Sequence, residues 1–216
     1  MVRRIRLDKL VVVDLELTCW NCLPPDGEVS EIISIGAAEL ILDEDMPRVG
    51  RTLDLLVRPM HSTVSEFCTH LTGITPAIAR RGRPVMEACA TLRRTMGGSS
   101  KAWGGWGDDR TALEEAATRD GFPPPMEGPY IDLGALWGML SGARRGVGLS
   151  AALQAAGMEF EGTPHRALDD AVNTARLVGS LAHVLRQAFP SVSPSFREPG
   201  YPDATCEEGF PSPQPA

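Results

Sequence analysis

The stretch Lys9-Leu10-Val11-Val12-Val13-Asp14-Leu15-Glu16-Leu17 decides the reading of this chain. Its apolar, β-branched first half reads as a buried strand, and its second half interrupts that strand with two carboxylates. Residues two apart on a strand point to the same face, so Asp14 and Glu16 stand side by side. Two like charges about 4 Å apart cost roughly 4 kcal/mol at an effective dielectric near 20, a penalty that an apolar strand does not carry for stability alone. A divalent cation between them reverses the sign of the interaction, and an all-oxygen donor set favours Mg²⁺ or Mn²⁺ over zinc. If this strand end is exposed, the two acids are merely solvated, and further acids are needed to choose.

Downstream of the Pro24-Pro25-Asp26-Gly27 loop, residues 31–41 read as a second strand and residues 52–57 as a third. Turn signals across 43–47 predict an antiparallel meander. Helical punctuation follows. Ser62 is expected to cap a helix over 64–71 that Gly73 stops, and Thr75-Pro76 caps and opens a short one. Pro84 opens a helix in which Val85, Cys89, Leu92 and Met96 recur at helical spacing. A short strand through Ala102 and Trp103 leads to a helix beginning near Asp109 and closed by Gly121, then to a strand over 130–132. Helices through Trp137 and over 149–156 come next. In the last helix Leu168, Ala171, Ala175, Val178, Ala182 and Leu185 form an apolar stripe expected to pack on the sheet. The fold class is therefore α/β, a mixed sheet of a three-strand antiparallel meander plus parallel strands, flanked by helices. Residues 1–189 form the predicted domain, and 190–216, rich in Pro, Ser and acids, read as a disordered tail.

A chain of 216 residues with 43% hydrophobic composition buries one substantial core. Its apolar runs stop far short of the roughly 20 residues of a bilayer span, and Arg3-Arg4-Ile5-Arg6 lacks the apolar stretch of a signal peptide. A soluble, cytoplasmic protein without membrane partners is expected. Five cysteines at irregular spacing do not make a disulfide framework. Cys19 and Cys22 form a C-x-x-C, yet no second close Cys/His pair exists to complete a tetrahedral zinc site. The formal charge of −7 argues against a protein that coats nucleic acid by bulk attraction, though not against an enzyme that grips one strand end. Arginines 80, 81, 83, 144 and 145 read as solvated surface able to touch phosphates.

More acids appear at Asp108-Asp109 and Asp169-Asp170, each pair near a predicted helix start. There the helix dipole alone would favour them. What the dipole leaves unexplained is His165, five residues before Asp170 in Thr163-Pro164-His165-Arg166-Ala167-Leu168-Asp169-Asp170. A histidine in the loop ahead of a helix can act as general base on a water while an acid in that helix holds a metal.

Three separated motifs in this order, Asp14-Leu15-Glu16-Leu17-Thr18-Cys19-Trp20, Glu31-Ile32-Ile33-Ser34-Ile35-Gly36-Ala37 and His165 to Asp170, resemble the DEDDh superfamily of 3′→5′ exonucleases. Phe67-Cys68-Thr69-His70-Leu71-Thr72-Gly73-Ile74-Thr75, together with Leu153 and the run Gly157-Met158-Glu159-Phe160-Glu161-Gly162 leading to His165 and Asn173, is similar to its histone-mRNA 3′-exonuclease-like exoribonuclease branch and bacterial relatives. The resemblance implies a ribonuclease-H-like fold and two divalent cations, Mg²⁺ or Mn²⁺, held by Asp14, Glu16, Asp109 and Asp170. It implies catalytic roles for His165 and Glu16, and a terminal-nucleotide pocket at Leu17, Thr18, Trp20 and Leu71. The expected substrate is the 3′ end of single-stranded nucleic acid, RNA before DNA. Relatives often read Trp-Gly-x-aromatic-Asp-Arg where this chain has Trp106-Gly107-Asp108-Asp109-Arg110, so Asp108 competes with Asp109. The spacing to Arg110, Leu113 and Gly121 favours Asp109.

Overall fold

In a computed structural model of the chain, residues 6–42, 46–98, 101–143 and 145–189 are described. The expected disordered tail, 190–216, lies outside them, as do Arg144 and most of the 43–47 turn. Among the described residues five strands form one sheet in the order β3-β2-β1-β4-β5, with β1 Arg6–Leu17, β2 Ile32–Ile41, β3 Arg48–Leu56, β4 Lys101–Gly105 and β5 Tyr130–Asp132. β1–β2 and β2–β3 pair antiparallel, whereas β1–β4 and β4–β5 pair parallel, which is the mixed sheet expected. β3 starts four residues before the sequence suggests, because Arg48 pairs with Ile41 and carries the ladder to the end of β2.

The helices are α1 Glu66–Thr72, α2 Pro76–Ala79, α3 Val85–Met96, α4 Asp109–Asp120, α5 Leu133–Ser141, α6 Leu149–Ala155 and α7 Ala167–Ala188. Val11 and Val13 face the layer of α3 and α4, packing with Cys89, Leu92, Met96 and Leu113. Leu10 and Val12, on the opposite face, pack with Ala171 and Ala175 of α7. The alternation of β1 therefore sends Asp14 and Glu16 to the α7 side. α7 lies on β1, β2 and β3, but its apolar stripe does not pack throughout: Leu185 is 41% exposed.

One cap differs from expectation. Ser65, not Ser62, caps α1, its hydroxyl accepting the Cys68 N–H at 2.9 Å. The Ser62 hydroxyl accepts from the Val29 N–H and donates to the Val29 carbonyl, tying the loop before α1 to the loop after β1. Thr75 and Pro76 open α2 as expected, with the Thr75 hydroxyl accepting from Ile78. Among the described residues no helix is long and apolar enough to cross a membrane.

Candidate active site

β1, β4 and β5 run parallel, and the carboxylates gather at their C-terminal ends, where open α/β sheets hold their ligands. Asp14, Glu16 and Asp170 present carboxylate oxygens that all lie within 4.8 Å of one another. Two of these acids come from one strand and the third from the first turn of α7. What lets α7 approach so closely is Gly36, which pairs with Asp14 across the β1–β2 ladder. A Cβ on Gly36 would stand 2.1 Å from the carbonyl carbon of Ala167 and 2.3 Å from the Leu168 nitrogen, so the start of the helix rests directly on bare backbone.

Asp109 enters from the other side. The β1–β4 ladder ends at Val12 and Gly104, which leaves the Leu15 N–H without a strand partner, and Asp109 Oδ1 accepts it at 3.1 Å. Gly105 makes room, since a Cβ there would meet Asp109 Oδ2 at 2.2 Å. Tyr130, packed edge-on against Trp103, donates its hydroxyl to the Gly107 carbonyl at 2.6 Å and steadies the loop ahead of α4. Asp108 is exposed and makes no side-chain capping bond to α4. The structure thus turns Asp109 toward the cluster and Asp108 toward solvent.

Burial opposes the charge on all four acids. Desolvation, then the charges of Asp109, Asp170 and Glu16, holds the Asp14 carboxyl well above the ordinary range. Glu16 is pushed up to about 7 by burial first and by Asp170 and Asp109 after it. Asp109 likewise reaches about 7, burial outweighing the Leu15 amide that pulls it down. Asp170 is raised by burial, with the Arg166 amide and His165 in partial opposition. Although Asp109 is not among the three acids within 4.8 Å, it is the charge that Asp14 feels most. An all-oxygen group whose members resist ionisation together has the donor chemistry of a hard divalent cation.

The loop carrying His165 is pinned to α7 at several points. Asp170 Oδ2 accepts the Arg166 N–H at 2.9 Å, and Asp169 Oδ2 accepts the Thr163 N–H at 2.9 Å. Asn173, fully buried, grips the Glu161 backbone through both ends of its amide and donates to the Asp169 carbonyl. His165 itself is exposed and adopts φ +62°, the one non-glycine residue in the left-handed region among those described. Such a conformation costs of order 1–3 kcal/mol and persists only where the surroundings over-determine it. Sequence reading treated Asp169 as an acid in a helix start and gave Asn173 no role. Their work is to hold this loop, which the family motif that contains both did not indicate.

The residues expected to meet a terminal nucleotide divide. Trp20 is half-buried, Leu17 packs partly into the core, and Leu71 on α1 is 38% exposed. Phe67, one turn before Leu71 in the same motif, is 41% exposed and extends the same apolar face, though the resemblance assigned it no nucleotide contact. Thr18 departs from the expectation: its side chain is fully buried, donating to the Val29 carbonyl at 3.1 Å and accepting the Glu31 N–H at 2.9 Å. Through these two bonds it holds the loop. Glu31 continues this scaffold, its carboxylate accepting from Met60, His61 and Ser62 and so fixing the approach to α1. Cys22 is exposed, and Cys19 packs instead against the cluster that holds Cys68, so the C-x-x-C gathers no metal site among the described residues.

Comparisons with known proteins agree with this architecture. The family model described as Exonuclease (RNase_T) matches residues 11–178. ERI1 exoribonuclease 2 of Homo sapiens is 32% identical over 199 residues, 79% of this chain but 28% of that protein, so the chain spans little more than a quarter of that relative. The probable 3′-5′ exonuclease KapD of Bacillus subtilis is 28% identical over 178 residues, covering 79% of this chain and 82% of KapD. The crystal structure of the nuclease domain of 3′hExo, a DEDDh family member, bound to rAMP, superposes with a TM-score of 0.70 at 25% identity, covering 83% of this chain and 92% of that one. The fold is that of ribonuclease-H-like DEDDh nucleases, as the sequence motifs imply.

Proposed function

The chain belongs to the Exonuclease (RNase_T) family, and from that premise we propose that it is a divalent-metal-dependent 3′→5′ exonuclease acting on single-stranded nucleic acid, RNA before DNA. It removes nucleoside 5′-monophosphates one at a time. The observation that carries this reading is the gathering of Asp14, Glu16 and Asp170 within 4.8 Å on a strand end and a helix start, with Asp109 beside them. In this reading Asp14, Glu16, Asp109 and Asp170 hold two cations, Mg²⁺ or Mn²⁺. Asp109 is preferred to Asp108 because its carboxylate faces β1 while Asp108 faces solvent. Bound there, the cations supply the positive charge that offsets the carboxylates, acidifies water and stabilises charge on a phosphodiester.

The protein's own groups do the rest. A ring nitrogen of His165 takes the proton of the attacking water, and the loop that carries it is held to Asp170 through the neighbouring Arg166 N–H. The water oxygen bonds to phosphorus as the bond to the departing 3′ oxygen breaks; that oxygen takes up a proton from solvent to become the new 3′ hydroxyl, and the phosphate leaves on the 5′ oxygen of the terminal nucleoside. Trp20, Leu71 and Phe67 give the last base an apolar, partly aromatic wall, and Leu17 closes its floor. Thr18 and Glu31 hold the backbone that carries that wall. The names of relatives, exoribonucleases among them, support RNA as the favoured strand.

The test is incubation of the purified protein with 5′-labelled single-stranded RNA and DNA under Mg²⁺, Mn²⁺ or EDTA. A ladder shortening by one nucleotide from the 3′ end is expected with either metal and not with EDTA. Intact substrate under every condition would overturn the reading, and faster shortening of DNA would reverse the strand preference.

A further inference from the structure

α1, which carries Phe67 and Leu71, packs on Ile33 of β2 through Cys68 and is tied to the Cys19 carbonyl just past β1, next to Trp20, so this apolar face belongs to the β2 side of the sheet end that bears the acids. On its other side, beyond the C-terminal ends of β4 and β5, lies a cavity of about 510 Å³, within the range of roughly 300–1,000 Å³ typical of small-molecule pockets. Trp106, Gly107, Asp132, Gly138, Met139 and Arg145 line it. Two of these tie it to the acids. Gly107 lies two residues before Asp109 in the same loop, and the charge of Asp132 is felt at Asp109.

The walls have a distinct chemistry. The Trp106 indole is half-buried and fixed by its Nε1–H donating to the Val147 carbonyl at 2.9 Å. α5 is bare at Gly138, where a Cβ would meet nothing within 4 Å, and Met139 is 74% exposed. Arg145 is exposed and pairs with no carboxylate among the described residues, in a protein whose net charge is −7. A fixed aromatic face, a soft thioether and one uncommitted guanidinium beside a nuclease centre make a place for a flat heteroaromatic ring carried on a phosphate.

The geometry points to this cavity as the subsite for the nucleotide on the 5′ side of the scissile phosphodiester. A strand whose last nucleotide lies against Trp20 and Leu71 and whose last phosphodiester reaches the acids continues across them, and the cavity stands there. Its base lies against Trp106 and Met139, and Arg145 takes the next phosphate upstream. The assignment rests on the exonuclease reading and adds a second point of grip to it. It also gives an acidic protein a local hold on the strand without a basic face.

Initial rates on a single-stranded RNA ten-mer test it, using the intact strand and strands with one abasic residue at the terminal, penultimate or fifth position from the 3′ end. In the unmodified protein the penultimate abasic residue is expected to raise KM about 5- to 150-fold, the usual worth of one stacked base, while one at the fifth position leaves it unchanged. Gly138→Phe, which fills the cavity, is expected to raise KM on the intact strand and to abolish the penultimate penalty. Arg145→Ala serves where Gly138→Phe fails to fold, and is expected to lower the salt slope of binding by about 0.7, the share of one single-strand phosphate. A penultimate penalty that is absent, or equal in the filled variant, overturns the subsite, as does a salt slope unmoved by Arg145→Ala. Failure of the unmodified protein to shorten the intact strand at all would instead remove the exonuclease reading beneath it.

Discussion

Replacing Gly36 with alanine sets one methyl group against the backbone on which α7 begins. The new carbon would lie 2.1 Å from the Ala167 carbonyl carbon and oxygen and 2.3 Å from the Leu168 nitrogen. Ordinary carbon contact begins near 3.5 Å, so the first turn of α7 must retreat by roughly 1.4 Å, or β2 must buckle. Neither group is a side chain that can swing away. Asp170 sits three residues beyond Ala167 and moves with that turn, opening its distance to Asp14 and Glu16. A misplacement of about 1 Å in a catalytic constellation costs on the order of 10²-fold in rate. Overpacking a tight contact costs about 1–3 kcal/mol, and each kcal/mol shifts the melting temperature of a domain this size by roughly 2–4 °C. Gly50→Ala is the control: its Cβ would meet the movable end of Ile41 at 2.8 Å, far from the acids. The expected result is a kcat on 5′-labelled single strand about 100-fold lower for Gly36→Ala, with a lower melting temperature by circular dichroism, and near-normal kcat for Gly50→Ala. A Gly36→Ala protein whose kcat lies within twofold of the unmodified one would refute the claim that this glycine sets the cluster's geometry.

Other consequences can be measured separately. Because Glu16 and Asp109 titrate near 7 in the folded, metal-free protein, it keeps protons that the unfolded chain has lost above the ordinary carboxylate range. Stability in EDTA should therefore fall as pH rises from about 4.5 to 7, and Mg²⁺ should flatten that slope; a melting temperature that climbs across this window in EDTA would contradict it. His165→Gly should lower kcat by about 10²–10⁴-fold while leaving the melting temperature equal or slightly higher, since glycine accepts φ +62° without strain. Asp109→Asn should abolish metal-dependent shortening and Asp108→Asn should leave it within a few-fold, the reverse order assigning the role to Asp108. Asn173→Ala, which releases Glu161 and the Asp169 carbonyl, should loosen the His165 loop, read as faster amide exchange over residues 161–166 with kcat lowered more than KM is raised.

Much of this was legible because it is local. The β1 run carried its own period and its own interruption, and the motif order assembled the acids before any contact was seen. The preference for Asp109 over Asp108 rested on the resemblance, through the spacing to Arg110, Leu113 and Gly121. What escaped the sequence depends on partners far along the chain. Ser62 and Ser65 are equally good caps in isolation; Val29, 33 residues away, claims the first and leaves the second to α1. The partners of the Thr18 hydroxyl, Val29 and Glu31, are 11 and 13 residues on and meet it only when the β1–β2 loop folds. Leu185 repeats the apolar period of α7, but a period marks a face and says nothing of where the neighbour beneath it ends. Gly36 is one small residue in a strand until α7 is laid across it, and its importance is the helix's requirement rather than the strand's.

The central claim is that Asp14, Glu16, Asp109 and Asp170 are gathered against their own repulsion in order to hold divalent cations. Crystals soaked in Mn²⁺ with a nucleoside 5′-monophosphate test it most directly through the anomalous difference map. The account predicts two Mn²⁺ peaks among these four carboxylates, with Asp108 ligating neither. A map with no peak there, or with manganese bound only elsewhere on the protein, would contradict it.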